Sequence, residues 1–318
     1  MAWAHAFSSC YVEQETRFMM NTDVTVRMLG PRKESVSAVK AALNRMAEIA
    51  VKFNALDPGS PLYAFNHQGT PVDDVEIIGL IDQALQVSRA SEGAFDITVA
   101  PLLEARGFYS PQPLPAGRDI KVILKSVGYG HLLFKNGQLV KDAPGVRINL
   151  GGIAKGYALI EAVKVLKARG VTSAMIDAGG DIYLVGKNRG RLWGIGIQDP
   201  RGAGIVGMVG VEDAAVMSSG DYERFSMQDG CRHHHIFNPA TGHSTDGVAS
   251  VTIIHADPVV AQAWGKVPFV LGAQRGLELI EKIPDMEAIV ILSCGDKLYS
   301  RNIRPVLPLF NPHFNKKR

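Results

Sequence analysis

The sequence is poor in features that would assign it at once. Only three of its 318 residues are cysteines, Cys10, Cys231 and Cys294. They form no CxxC pattern, so neither a disulfide framework nor a zinc site is indicated. No apolar run is long enough to span a bilayer. The formal charge is only +3, too little to argue for a nucleic-acid partner, and the basic Lys316-Lys317-Arg318 end reads as a solvated tail. No Gly-Lys-Ser/Thr of a Walker loop and no Gly-x-Gly-x-x-Gly fingerprint occurs. What remains is a chain of ordinary globular composition, 46% hydrophobic, long enough for one large domain or two intimate ones. There is no linker, repeat or low-complexity segment.

The densest signal is Ile148-Asn-Leu-Gly-Gly-Ile-Ala-Lys-Gly-Tyr157. Val146, Ile148 and Leu150 alternate as a half-buried strand would, and Gly151-Gly152 suits a tight turn with close backbone approach to a ligand. Leu159, Ala162, Val163 and Leu166 then recur at helical spacing over 154–168, with Gly170 closing the helix. A helix start of this kind offers N–H groups and positive dipole to an anion, with Lys155 as a mobile cation. On spacing alone, an anion cradle and a mere chain reversal both remain open. A strand reaching Asp177-Ala-Gly-Gly-Asp181 follows.

Elsewhere, Thr22 to Leu29 alternates as a strand, and 35–53 and 74–91 read as amphipathic helices. Asp257-Pro258 is a helix start, with a cap and then Pro at the first position. Strand runs separated by single helices predict a mixed α+β fold, largely antiparallel sheets with flanking helices. Successive residues of a strand face opposite sides, so the triplet His233-His234-His235 does not converge on one metal ion.

Several strings, in order, resemble the bacterial flavin transferase family (ApbE family, FAD:protein FMN transferases). They are Met20-Asn-Thr22, Ser60…Leu62…Asn66, Gly93-Ala-Phe-Asp-Ile-Thr98 with Pro101-Leu102, the central 148–157 stretch, Ser218-Ser-Gly-Asp-Tyr-Glu-Arg224 and His235-Ile-Phe-Asn-Pro-Ala-Thr-Gly242. The resemblance covers Met20 to Leu292. It implies a protein that splits the diphosphate of FAD with Mg2+, passes FMN to a Ser or Thr of a target protein and releases AMP.

Carried over residue by residue, the resemblance makes Met20, Ala94, Phe95, Asp96, Asn149, Gly151, Gly152, Lys155 and Ile236 the expected flavin-binding residues. Lys155 and Lys266 are the expected catalytic cations. The metal would lie at the carbonyl of Gly152 and at Gln262. The family holds it with an Asp and a Thr four residues apart, and here those positions are Gln262 and Lys266. Gln262 offers only a neutral oxygen, and an ammonium repels a cation. Asn149 and Asn238 likewise stand where the family has Asp. Two readings stay open: a working transferase with altered cation chemistry, or a flavin-binding protein of the same fold with little transfer.

The implied partner is a flavin-accepting protein. Family targets present Asp-x-x-Ser/Thr-Ser/Ala/Gly-x-Ser/Thr, and no such string occurs here. Small residues ahead of Cys10 read either as a truncated lipoprotein signal (residues 1–17, placing the protein in the periplasm with a lipid on Cys10 as its membrane link) or as an ordinary cytoplasmic start. Residues 18–318 then form a single domain.

Overall fold

The computed structural model describes residues 11–30, 32–108, 119–228 and 231–303. Cys10, with the signal-like box that it ends, and the basic 316–318 end lie outside the described residues.

The chain opens with a hairpin of β1 (Tyr11–Met19) and β2 (Thr22–Gly30). Helices α1 (Arg32–Lys52), α2 (Pro61–Gln68), α3 (Val75–Ala90), α4 (Ala100–Ala105) and α5 (Ile120–Leu124) follow. A short hairpin of β3 (Leu132–Lys135) and β4 (Gln138–Lys141) precedes α6 (Ala154–Ala168). Next come β5 (Ser173–Ala178), β6 (Asp181–Gly186), β7 (Trp193–Gln198), β8 (Ile205–Val211) and β9 (Ala214–Gly220). The strands β10 (Phe225–Gln228), β11 (Cys231–His234) and β12 (Val248–His255) lead to α7 (Pro258–Trp264), α8 (Val267–Leu271) and α9 (Ala273–Ile280). Strands β13 (Glu287–Leu292) and β14 (Lys297–Tyr299) end the described chain.

Eight strands form one sheet in the order β1-β2-β5-β6-β9-β12-β13-β14, with every neighbouring pair antiparallel. One face carries Val24, Val26, Ala174, Ile176, Val251 and Ile253 and packs under α1, α6 and α7 in the main core. The other face carries Leu184, Val216, Ile254 and Ile291 and is covered by Trp193, Ile195, Ile197, Val209 and Val211 of the β7–β8 hairpin. With both faces covered, β12 is buried almost from end to end. Each such Ile or Leu contributes about 1.5–3 kcal/mol of transfer free energy.

Helix ends follow side-chain chemistry. Asp74 accepts from the N–H groups of Glu76 and Ile77 to start α3, and Asp257 accepts from Val259 and Val260 to start α7. The mixed, antiparallel α+β expectation holds. Two expectations need correction. The sheet begins at Tyr11 rather than after residue 17, because β1 pairs with β2 throughout, Tyr11 with Gly30 through Met19 with Thr22. Residues 146–150, read as a strand, join no sheet. The Asn66 side chain takes the place of a neighbouring strand: its Oδ1 accepts from the Ile148 N–H at 2.8 Å and its Nδ2 donates to the Ile148 carbonyl at 2.9 Å. The Asn149 N–H completes the latch on the Ile97 carbonyl at 2.7 Å.

Candidate functional site

A cleft of about 580 Å³ lies where the helices meet the sheet. All eleven site residues expected from the sequence line it: Met20, Ala94, Phe95, Asp96, Asn149, Gly151, Gly152, Lys155, Ile236, Gln262 and Lys266. Met20 and Asn21 form the two-residue turn between β1 and β2, both left-handed at φ 53° and 59°. Asn accepts that conformation readily, whereas for Met it is strained, and Met20 faces the cleft. The Phe95 ring packs so tightly on Gly152 that a Cβ there would lie 3.1 Å from Cε2. Asp96 is spent on local structure: it accepts from the Thr98 N–H and hydroxyl and from the Tyr129 N–H. Burial raises its pKa, and those hydrogen bonds only partly offset the rise.

The helix start is less open to anions than its sequence suggests. The Gly151 N–H donates to Asn149 Oδ1 at 2.6 Å, and the Ile153 and Ala154 N–H groups donate to the Leu150 carbonyl. The Gly156 N–H donates to Gln262 Oε1 at 2.9 Å. Asn149 Nδ2, by contrast, is buried with no hydrogen-bond partner among the described residues, which leaves a donor to a ligand in the cleft. Lys155 is not a mobile cation either. It forms an ion pair with Asp181, itself only 3% exposed on its side chain. Burial works against the lysine's charge, and Asp181 outweighs it, so its pKa is raised.

Gln262 faces backbone on both sides. Besides accepting from Gly156, its Nε2 donates to the Gly151 carbonyl at 3.2 Å. Lys266, four residues on, donates from Nζ to the Gln262 carbonyl at 2.8 Å, and its Cε comes within 3.9 Å of where a Cβ on Gly152 would sit. Burial lowers its pKa to about 8; Asp181 and Glu223 raise it and Lys155 lowers it further. This donor set does not fit Mg2+, which needs several oxygens, preferably anionic. Here the carboxamide is engaged with backbone and the next group is an ammonium. Among the described residues no three His, Cys, Asp or Glu side chains are placed to hold a metal ion.

Asp181, Ser218, Ser219, Glu223, Arg224 and His235 also line the cleft and were not singled out as site residues from sequence. The signal for most of them was present in Ser218-Ser-Gly-Asp-Tyr-Glu-Arg224 and in His235 before Ile236. Asp181 follows the Gly179-Gly180 turn, whose two positive φ angles close the β5–β6 hairpin. Burial raises the Glu223 pKa, with Lys155 and Lys266 opposing and Asp181 reinforcing the rise. His235 Nδ1–H donates to the Arg224 carbonyl at 3.3 Å, which leaves Nε2 as the acceptor of a neutral ring. Burial pushes its pKa down to about 3. The histidine triplet does not converge: His234 is bound to the Thr245 carbonyl at 2.7 Å while His235 lines the cleft. Asn238 makes a turn, accepting from the Ala240 N–H at 2.9 Å.

The cleft is lined by the aromatic and apolar side chains Phe95, Ile236 and Phe237 together with the cations Lys155 and Lys266. Such a site defines a binding protein for a ligand with a planar apolar part and an anionic part. The sequence model of the ApbE family matches residues 20–290, and the chain belongs to that family. It is 31% identical over 242 residues to the FAD:protein FMN transferase of Vibrio cholerae, covering 73% of this chain and 72% of the relative. With that of Treponema pallidum the identity is 30% over 286 residues, covering 82% and 78%. The solved structure of the ApbE protein from Thermotoga maritima matches with a TM-score of 0.86 at 32% identity, over 93% of this chain and 99% of that one. The flavin transferase ApbE from Vibrio cholerae matches with 0.84 at 25% identity, over 94% and 100%.

Proposed function

We propose that this protein is an FAD:protein FMN transferase, which splits FAD, joins its FMN half to a Ser or Thr hydroxyl of a target protein and releases AMP. The observation that carries the reading is the single cleft in which the aromatic side chains, the two lysines and the neutral His235 come together, in a chain whose relatives bear that name. The acceptor oxygen forms a bond to the FMN phosphorus while the bond from that phosphorus to the bridging oxygen of AMP breaks. The hydroxyl proton passes through Nε2 of His235 to solvent. Its low pKa makes His235 a weak base in the empty cleft, and the diphosphate's negative charge raises that basicity when substrate is bound. Lys155, held by Asp181, orients the phosphates rather than searching for them. No step runs through a metal ion, since the Gln262–Lys266 pair does not suit one.

A second cavity of about 370 Å³ supplies a route for the acceptor. It shares Met20, Asn21, Lys155, Ser218, Glu223 and Arg224 with the first, and the Gly179-Gly180 turn, Gly196, Gln198 and Thr252 line it alone. Hydroxyls, an amide and glycine backbone suit an extended polypeptide segment carrying the reactive Ser or Thr. This segment belongs to another protein, because the chain has no target string of its own.

The reading is tested by incubating the protein with FAD and a domain bearing the target string, following AMP by chromatography and the acceptor by mass spectrometry. Gain of one FMN on the acceptor with equimolar AMP is expected. Saturable FAD binding with no AMP under any condition would instead establish the flavin-binding alternative.

A further inference from the structure

We infer that this cleft binds the diphosphate of its substrate without a divalent cation, the ammonium of Lys266 supplying the positive charge beside the Gly151-Gly152 turn. The inference rests on the transferase reading above and concerns how that site meets its substrate. Its starting point is the Gln262 side chain. A glutamine free to ligate would present its oxygen to the cleft, yet here Oε1 accepts from the Gly156 N–H and Nε2 donates to the Gly151 carbonyl. The residue therefore closes the helix start instead of collecting an ion. Asp181 does not replace it, being paired with Lys155 and taking a further hydrogen bond from the Ser218 N–H at 3.2 Å. Asp96 is taken up by Thr98 and the Tyr129 N–H, and among the described residues no three His, Cys, Asp or Glu side chains are placed to hold a metal ion.

Lys266 occupies the adjoining volume. It lies in the turn between α7 and α8, four residues after Gln262, and its Cε lies 3.9 Å from the Cβ position of Gly152, where the Phe95 ring also packs. One of its three donors is satisfied by the Gln262 carbonyl at 2.8 Å, so two remain for phosphate oxygens. That one bond also fixes the ammonium near the turn before substrate arrives, which reduces the entropy lost on binding. The cleft's charged side chains are Lys155, Lys266 and Arg224 on one side and Asp96, Asp181 and Glu223 on the other. The formal charges balance, but Asp96 is taken up by Thr98 and the Tyr129 N–H and Asp181 by Lys155, whereas Lys266, beside the turn, bonds a backbone carbonyl and, among the described residues, no carboxylate.

A purely structural Lys266 would do no more than satisfy the carbonyl at the end of α7. The two roles separate by ligand. After removal of metals with EDTA, FAD and riboflavin, which lacks phosphate, are each titrated into the native chain and into Lys266→Met and Lys266→Arg, with flavin fluorescence as the readout and thermal melts to confirm folding. The native chain should bind FAD with the same Kd, within about twofold, with EDTA or with millimolar Mg2+. Lys266→Met should weaken FAD at least tenfold and riboflavin less than twofold, and Lys266→Arg should recover most of the FAD affinity. Mg2+ tightening FAD binding to the native chain tenfold or more would overturn the inference while leaving the transferase reading intact. So would equal loss of FAD and riboflavin in Lys266→Met. No binding of FAD under any condition would remove the transferase reading and this inference together.

Discussion

Gln262 holds the backbone N–H of Gly156 at 2.9 Å, joining α7 to the first turn of α6 across 106 residues of sequence. The contact is close because Gly156 has no side chain. A Cβ at that position would overlap the Pro258 carbonyl and lie 2.8 Å from the Val259 Cα. The two helices thus meet backbone to backbone, and the glutamine seals the junction that carries the glycine turn on one side and Lys266 on the other.

Replacing Gln262 by Ala should leave the buried Gly156 N–H unpaired and cost about 1–3 kcal/mol, read by denaturant unfolding as a lower midpoint at unchanged slope. Gly156→Ala separates helix propensity from packing. Ala is about 1 kcal/mol better than Gly within a helix, so an uncrowded site would be stabilised. Because the clash here is with backbone, destabilisation by about 1–3 kcal/mol is expected. A more stable Gly156→Ala chain would show that the α6–α7 contact is looser than described.

Much of the frame was legible because it depends on local chemistry. The span of α6, 154–168, follows from its apolar spacing, and α3 and α7 follow from Asp74 and Asp257 as caps. The parts that were not legible depend on distant partners. The alternation at Val146, Ile148 and Leu150 is real, but the partner of Ile148 is a side chain 82 residues away, Asn66. Lys155 reads as free because nothing nearby in sequence names Asp181 as its counter-charge. The polar run Glu13 to Arg17 hides an edge strand, where polar residues are tolerated. The site residues could be placed in one cleft by resemblance, whereas the inward turn of Gln262 shows only in three dimensions.

The histidines make a pH prediction. Burial holds His235 at about 3, against 6.5 for a free histidine, and also lowers the pKa of His234. Between pH 6.5 and 3 the unfolded chain binds protons that the folded chain refuses, so stability is full above pH 6.5 and falls as the solution is acidified. The slope from one such histidine is at most about 1.4 kcal/mol per pH unit. Comparing the native chain with His235→Gln by urea unfolding at several pH values between 4 and 7 should show a shallower acid loss in the variant. Parallel curves would mean that His235 is protonated as easily in the cleft as in water.

Acceptor entry through the second cavity predicts a division of kinetic effects. Gln198 lines that cavity and not the FAD cleft. Gln198→Trp should fill part of the route, raising KM for the acceptor tenfold or more while the Kd for FAD stays within about twofold. An unchanged acceptor KM would show that the target protein approaches by another side.

The last prediction reverses the chemistry of the Gln262–Lys266 pair. Gln262→Asp with Lys266→Thr introduces a carboxylate on α7 and a hydroxyl four residues on, in the turn to α8, both beside the Gly151-Gly152 turn. Removing the ammonium takes away the charge that repels a cation, and the new oxygens suit a hard divalent ion. The shorter Asp can no longer span from the Gly156 N–H to the Gly151 carbonyl as Gln262 does, so the double variant should lose about 1–2 kcal/mol of stability without metal and recover part of it in Mg2+ by linkage. Melting the native chain and the double variant with EDTA and with 10 mM Mg2+ reads this directly, and FAD titrations under the same conditions read the site. The native chain should show no shift with Mg2+. The double variant should melt at a higher temperature and bind FAD more tightly when Mg2+ is present. A Mg2+ response in the native chain and none in the variant would place the cation elsewhere in the cleft and leave Gln262 with its structural role alone.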